Sequence, residues 1–320
     1  MFGWSLILFG VAGVLLFVRN DFPFLLGGRF LQGFAFAVIL PLTITMIGEL
    51  WRNQGQLRNQ GMRVVGMNIA NVVWPLIGGV VAMMMWQLAF LFQALALPLG
   101  VAALMVLPDD SRSFRKPNDR VRVKLLQMMR TRRALAVEFT AFLRFVVRFG
   151  FLTYGPILLV SYQGFSPFET GLVIGVAAFM ATVSAGMTGA IARRVPPSRL
   201  LQLTAAGMAG GLALLSVGGM GAWVGPVLYG FSDGVFAVVH SGFMTEAVPA
   251  SVRAAFVATT GAIKNLGKFL APTLVVVLLG VFRLDAVFLV LSVVVVSMIP
   301  MARLLRDLDT GLGPDALEGS

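Results

Sequence analysis

Apolar runs of about 20 residues recur along this chain, and each is long enough as a helix to cross ~30 Å of hydrocarbon. Ten such spans are read, at Phe2–Val18, Phe24–Met46, Met62–Met85, Leu88–Leu107, Ala134–Tyr162, Thr170–Ala192, Leu200–Val217, Ala222–Met244, Ala254–Val281 and Ala286–Met301. In lipid, backbone polar groups must be paired within a helix or around a closed barrel, and the period-two alternation of barrel strands is absent. The expected fold class is therefore an all-α polytopic membrane protein. Composition agrees: 58% of the 320 residues are hydrophobic and 12% charged, too few to coat a soluble domain. With no cysteine and a single histidine, His240, neither a thiolate site nor a histidine metal centre is expected, and no cofactor is implied. Met1 leads directly into an apolar run, without the basic segment and cleavage site of a signal peptide.

The net charge of +11 invites a nucleic-acid reading, but the placement of the charges speaks for a membrane. One set of inter-span segments holds Arg52, Arg58, Arg63, nine basic residues between 108 and 133, Arg193, Arg194, Arg199, Arg253, Arg303 and Arg306. The opposite set holds only Arg19 and Arg283. The positive-inside rule then places the first set, and both termini, on the cytoplasmic side of a cell inner or plasma membrane. The segment 108–133 is the one long polar linker, suited to setting topology or touching lipid headgroups.

A shift of 197 residues (230 − 33) superposes Gly33 on Gly230, Phe34 on Phe231, Val38 on Val235, Glu49 on Glu246, Asn68 on Asn265, Pro75 on Pro272 and Val80 on Val277. The first four spans map onto the last four, and the fifth and sixth have no partner. This reads as two parallel helical repeats, with the first lacking two helices: a bundle over 1–107, the linker 108–133, a six-helix bundle over 134–304 and a tail over 305–320, a 4 + 6 arrangement.

Three motifs carry a family resemblance. The first comprises Arg29, Gln32 and Gly33 in the second span; the second comprises Gly61, Pro75, Gly78 and Gly79 in the third, with Ala70 and Trp74 at positions where glycine is expected; the third comprises Gly189, Arg193 and Arg194 after the sixth. Together they resemble the major facilitator superfamily, and within it the twelve-helix drug:proton antiporters. The resemblance implies that Arg29 is tied to proton coupling, although an arginine near a span's outer end also snorkels to the interface. It implies gating roles for the glycines, Pro75 and the two arginines, since small residues permit close helix approach and arginines can bond to helix C-termini.

Ionisable residues inside spans are functional candidates. Asp233 lies mid-span, with Tyr229, Phe236 and His240 on its helix face. A buried carboxylate can carry a proton and a histidine can relay one; both can equally serve as structural partners. Arg144 and Arg148 lie one turn apart at the depth of Asp233, so an interhelical ion pair is expected, and two arginines could also bind an anionic substrate. Glu138, near a span end, is expected at the interface. Lys264 and Lys268 either close the cytoplasmic side against Glu49 or Glu246, or snorkel. Tyr154, Gly155 and Pro156 are read as a break in the fifth span. Phe142, Phe145, Phe149 and Phe151 around it either line an apolar pocket or pack helices.

The expected activity is alternating-access transport of a small amphipathic molecule driven by protons, in the direction of export, with substrate, protons and lipid bilayer as partners and no oligomer required. Uptake of a metabolite anion, suggested by Arg144 and Arg148, and a non-transporting family member are the alternatives. No enzyme is expected, because no catalytic pairing or phosphate-binding loop is found.

Overall fold

The protein is described by a computed structural model that covers residues 1–19, 21–50, 53–106 and 125–311. All described regular elements are helical: α1 (Phe2–Val18), α2 (Phe22–Leu50), α3 (Asn53–Met84), α4 (Leu88–Val106), α5 (Arg132–Ile157), α6 (Pro167–Ala192), α7 (Pro197–Val217), α8 (Met220–Glu246), α9 (Ala250–Leu279) and α10 (Leu284–Arg303). Among the described residues, eight helices are long and apolar enough to cross a membrane. The two spans of the sequence reading outside that set are α1, with 17 residues, and α5, which carries Glu138, Arg144 and Arg148 in its length. The chain divides into two compact units, Met1–Phe114 and Arg115–Ser320. Position 107, positions 108–124 of the basic linker and 312–320 of the tail lie outside the described residues.

Helix boundaries extend past the apolar runs because polar caps, not hydropathy, fix them. The sixth span starts at Pro167 rather than Thr170: Ser166 Oγ accepts from Glu169 N (3.2 Å) and Ser166 N donates to Glu169 Oε2 (2.8 Å), a reciprocal capping box. Thr131 caps α5 by accepting from Ala134 N. Asp309, from a short 3-10 turn (Arg306–Gly311), accepts from Ser198 N (2.8 Å) in the first turn of α7, where a negative charge suits the helix dipole. Gly218 and Gly219, at φ 79° and 57°, join α7 to α8 in two residues, a turn that side chains with a Cβ resist.

The expected break at Tyr154 is not formed. α5 continues through Pro156, and the chain widens only afterwards, into a π turn over Leu158–Tyr162. A proline removes one backbone donor, and the wider turn absorbs the misfit.

In the first unit, α1 lies antiparallel along α4, with Gly3 against Gly100 and Leu104, Gly10 against Leu97, and Gly13 against Gln93. Among the described residues, a Cβ added at Gly78, Gly33 or Gly189 would meet open space, while Gly79 beside Gly78 is buried. Trp74 stands edge-on to Phe92 of α4 at 5.7 Å. Pro75 sits within a continuous α3, and the surroundings of Gly61 lie outside the described residues.

The second unit is built around α8. Gly225 packs against the backbone of α7 at Gly211 and Leu215, and on another face Gly230 and Gly234 close on the carbonyls of Ala177 and Ala181 in α6. This small-xxx-small pair allows near backbone contact in a medium where packing, not hydrophobic exclusion, holds helices together. α5 and α9 run parallel, since contacts pair 138 with 260, 145 with 268 and 154 with 272 in ascending order, and Gly267 sits 2.8 Å (as a would-be Cβ) from Phe142 O.

The Gly234→Leu variant should cost at least ~2 kcal/mol by overpacking against α6, whereas Gly186→Leu, facing open space, should be tolerated. Thermal unfolding of the two purified variants, followed by size-exclusion fluorescence, checks the contrast.

Candidate functional site

The packing of α8 brings Asp233 against α5. Gly234, its neighbour, anchors the helix on α6, and the next face carries the carboxylate toward Arg144 and Arg148. Arg144 Nε donates to Asp233 Oδ1 at 2.6 Å, and Arg148 Nη1 donates to Oδ2 at 2.6 Å. Arg144 Nη2 also reaches the Asp233 carbonyl at 3.4 Å. Both carboxylate oxygens are thus charge-paired, with Asp233 buried and Arg148 the most accessible of the three at 30%. The interhelical ion pair expected from the sequence is present as a triad with a net charge of +1.

His240 lies two turns further along α8, fully buried, its ring stacked on Phe236 at 5.7 Å. Its Nε2 is 2.9 Å from Val137 O on α5. A carbonyl only accepts, so Nε2 carries the proton, and His240 ties α8 to α5 at this point. Tyr229, on the same face, packs on Phe151 (4.9 Å), and its buried hydroxyl has no partner among the described residues.

A second cluster lies between α5 and α9. Thr260, Lys264 and Lys268 form one stripe on α9 at i, i+4 and i+8. Phe145 and Phe149 stack at 6.4 Å. Three cations ring Phe145: Arg144 at 5.3 Å, Lys264 at 5.9 Å and Lys268 at 5.2 Å; Lys268 is also 5.4 Å from Phe149. The two phenylalanines are half-buried and so are the lysines, which leaves aromatic faces and ammonium groups open together. Neither lysine pairs with Glu246; Lys264 Nζ contacts Met244 Sδ at 3.3 Å, and the side chain of Glu49 lies outside the described residues. Tyr154 donates to Pro272 O (3.3 Å) further along the same helix pair.

Glu138 corrects the interfacial expectation: it is buried at 5% exposure and accepts from Thr260 Oγ1 at 2.6 Å. Phe151 takes a packing position instead, against Tyr229, and the backbone carbonyl of Phe142 meets Gly267.

In the first unit, Arg29 Nη1 donates to Gln32 Oε1 at 3.1 Å, and the guanidinium lies 4.9 Å from the Phe90 ring. Gln32 is buried and bonds to Gln93, which sits on a 3-10 stretch of α4 (Phe92–Leu95). Gln93 was not singled out by sequence, because a lone glutamine in an apolar run carries no partner signal. Arg193 and Arg194 are exposed at the end of α6, and no side-chain bond from either to a helix terminus is formed among the described residues.

Breaking the triad on the acid side should be costly, because Asp233→Asn leaves two guanidiniums facing a neutral amide in a buried setting. We expect a loss of about 3–5 kcal/mol for Asp233→Asn and a smaller one for Arg148→Gln, whose side chain is part-exposed. Denaturation midpoints of the two variants in the same detergent check the order.

The matched family model, "Major Facilitator Superfamily", covers residues 1–272. A curated relative, the 3-(3-hydroxy-phenyl)propionate transporter of Escherichia coli (strain K12), is 25% identical over 277 residues, 84% of this chain and 68% of its own length. Among solved structures, a bacterial homologue of the human lysosomal transporter Spinster, inward-facing and unoccupied, superposes with a TM-score of 0.69 at 14% identity, over 96% of this chain and 81% of that one. A mutant of the nucleoside transporter NupG superposes at 0.71 and 11% identity, over 95% and 82%. The helical architecture and the family model agree, and the chain belongs to the Major Facilitator Superfamily of membrane transporters, not to an enzyme family.

Proposed function

We propose that this secondary transporter moves a small carboxylate bearing an aromatic or other flat apolar group, in the direction of uptake and together with protons. The observation that carries the reading is the charge surplus beside an aromatic pair. Within the second unit's spans, Arg144, Arg148, Lys264 and Lys268 stand against Asp233 and Glu138 alone. Asp233 is already shared by two arginines, so the lysines over Phe145 and Phe149 are the cations left to meet an anion. Ammonium groups beside stacked rings offer a carboxylate a charge-assisted bond and its apolar part a flat surface. The curated relative named for an aromatic carboxylate supports the same substrate class.

Proton-coupled export of an amphipathic molecule is the second reading. It is supported by the Arg29–Gln32 contact in the first unit, which joins two residues of the antiporter-like motif. The ten-span, 4 + 6 organisation with cytoplasmic termini in a cell inner or plasma membrane is part of the same proposal, and rests on the spacing of the spans and the basic segments.

Reconstituted in liposomes under an inside-alkaline gradient, the protein should accumulate labelled 3-phenylpropionate. The Lys264→Gln/Lys268→Gln double variant should raise KM about tenfold or more, the scale of a lost bond to a charged group. Outward movement of tetraphenylphosphonium with no carboxylate accumulation would instead support the export reading.

A further inference from the structure

The stripe on α9 that carries the two lysines begins at Thr260, and Thr260 meets the one acid of the second unit's spans that is not held by arginine. Its Oγ1 lies 2.6 Å from Glu138 Oε1 and 3.0 Å from Phe256 O. A hydroxyl has one proton, and a backbone carbonyl only accepts. When that proton points at Phe256 O, as threonine commonly does inside a helix, the proton between Thr260 and Glu138 must come from a neutral carboxyl group. When it points at Glu138, the same geometry holds a carboxylate. Both protonation states are therefore bonded by a rotation of one hydroxyl, with no movement of either helix.

The other oxygen, Oε2, is buried and without a partner among the described residues. A bare buried carboxylate oxygen is costly, and the neutral acid relieves that cost. The charged and titratable groups around Glu138 are few. From α9 comes Lys264, within electrostatic range of it; from α8 comes His240, whose Nε2–H is committed to the carbonyl of the adjacent Val137; from α5 itself comes Arg144, which is committed to Asp233. Among the described residues, the end of α10 carries Arg303, which is exposed. Lys264 thus has two calls on its charge: Glu138 on one side and, on the other, whatever anion lies against Phe145.

We propose that Glu138 is the proton-binding site of this transporter and that Lys264 is shared between it and the substrate carboxylate. With Glu138 ionised, Lys264 balances its charge. When a proton adds to Glu138, the carboxyl hydrogen bonds to Thr260 Oγ1, Lys264 is left uncompensated, and a substrate carboxylate takes its place as counter-ion. One proton enters with each anion, so the buried charge is the same in the empty ionised state and the loaded protonated state. Asp233 is unsuited to this role, because a proton there would strand two guanidiniums at once. The proposal rests on the carboxylate reading above and adds to it the atom that holds the proton.

The test uses the purified protein and 3-phenylpropionate as probe. In weakly buffered solution between pH 6.5 and 8, wild type should take up about one proton per anion bound, and Glu138→Gln should take up none. In liposomes, exchange of labelled for unlabelled probe should weaken as pH rises for wild type and become independent of pH for Glu138→Gln, while that variant loses accumulation driven by the pH gradient. Gradient-driven accumulation that survives Glu138→Gln, or wild-type binding without proton uptake, overturns the proposal; the second measurement needs no variant. Wild type that neither binds nor exchanges the probe strikes the carboxylate reading itself, a result distinct from binding without a proton.

Discussion

Asp233 and the two arginines that hold it determine how the second unit can be assembled. Charges placed in a membrane span are expensive unless they find each other. Here the carboxylate of α8 is reached by both guanidiniums of α5, at 2.6 Å each. That contact requires α8 to stand close to α5 and at a fixed rotation. The rotation is set from the opposite faces, where Gly225 meets α7 and where Gly230 and Gly234 meet α6 with no space for a side chain. The ion triad and the glycine contacts therefore support one another: the glycines remove freedom from α8, and the triad supplies a polar reason for its one remaining orientation. His240, bonded to Val137 O two turns away, repeats the constraint at a second level.

α5 is consequently in contact along two faces, and the second face organises the chemistry. Because α5 and α9 are parallel, their contacts occur in order along both helices. Glu138 meets Thr260 first, the Phe145–Phe149 pair meets Lys264 and Lys268 next, and Tyr154 meets Pro272 last. An acid, an aromatic-cationic patch and a hydroxyl–carbonyl contact follow one another along one helix pair. A helix pair of this kind sets an acid and a cationic patch about two turns apart while keeping both within reach of one lysine.

The parts of this arrangement that follow from periodicity were legible in the sequence. The spans are visible from hydropathy, and Arg144, Arg148 and Asp233 from their common depth. The spacing of four between Lys264 and Lys268 fixes a common face. Helix starts were not legible, because Ser166, Thr131 and Asp309 act through hydrogen bonds that an apolar-run boundary ignores. Glu138 was misplaced for a more instructive reason. Six residues before Arg144 it does face elsewhere, but elsewhere is α9 rather than the interface, and one sequence does not show that a helix has two buried faces. The break expected at Tyr154 failed because a proline subtracts a single donor, which the π turn after Ile157 accommodates.

The internal repeat adds a last constraint on where the chemistry can reside. Under the 197-residue shift, Asp233 falls on Phe36, Lys264 on Met67 and Lys268 on Asn71. Gly230, closed against Ala177, falls on Gly33, which has open space around it. At other positions the register carries contacts as well: Gly28 falls on Gly225, and each closes on the helix before it, while the mid-span charges of α8 and α9 fall on uncharged residues. The first unit has a different polar device, Arg29 with Gln32 and Gln93, drawn from its own α2 and α4. A repeat conserves what the backbone needs in lipid, namely paired main-chain groups and residues that permit helices to lie together. Side chains facing a polar site are free of that requirement and can differ between copies. Asp233 of α8 and the lysines of α9 thus stand at positions whose first-unit counterparts are uncharged, and α5, which brings arginines and phenylalanines against them, has no counterpart among the ten spans.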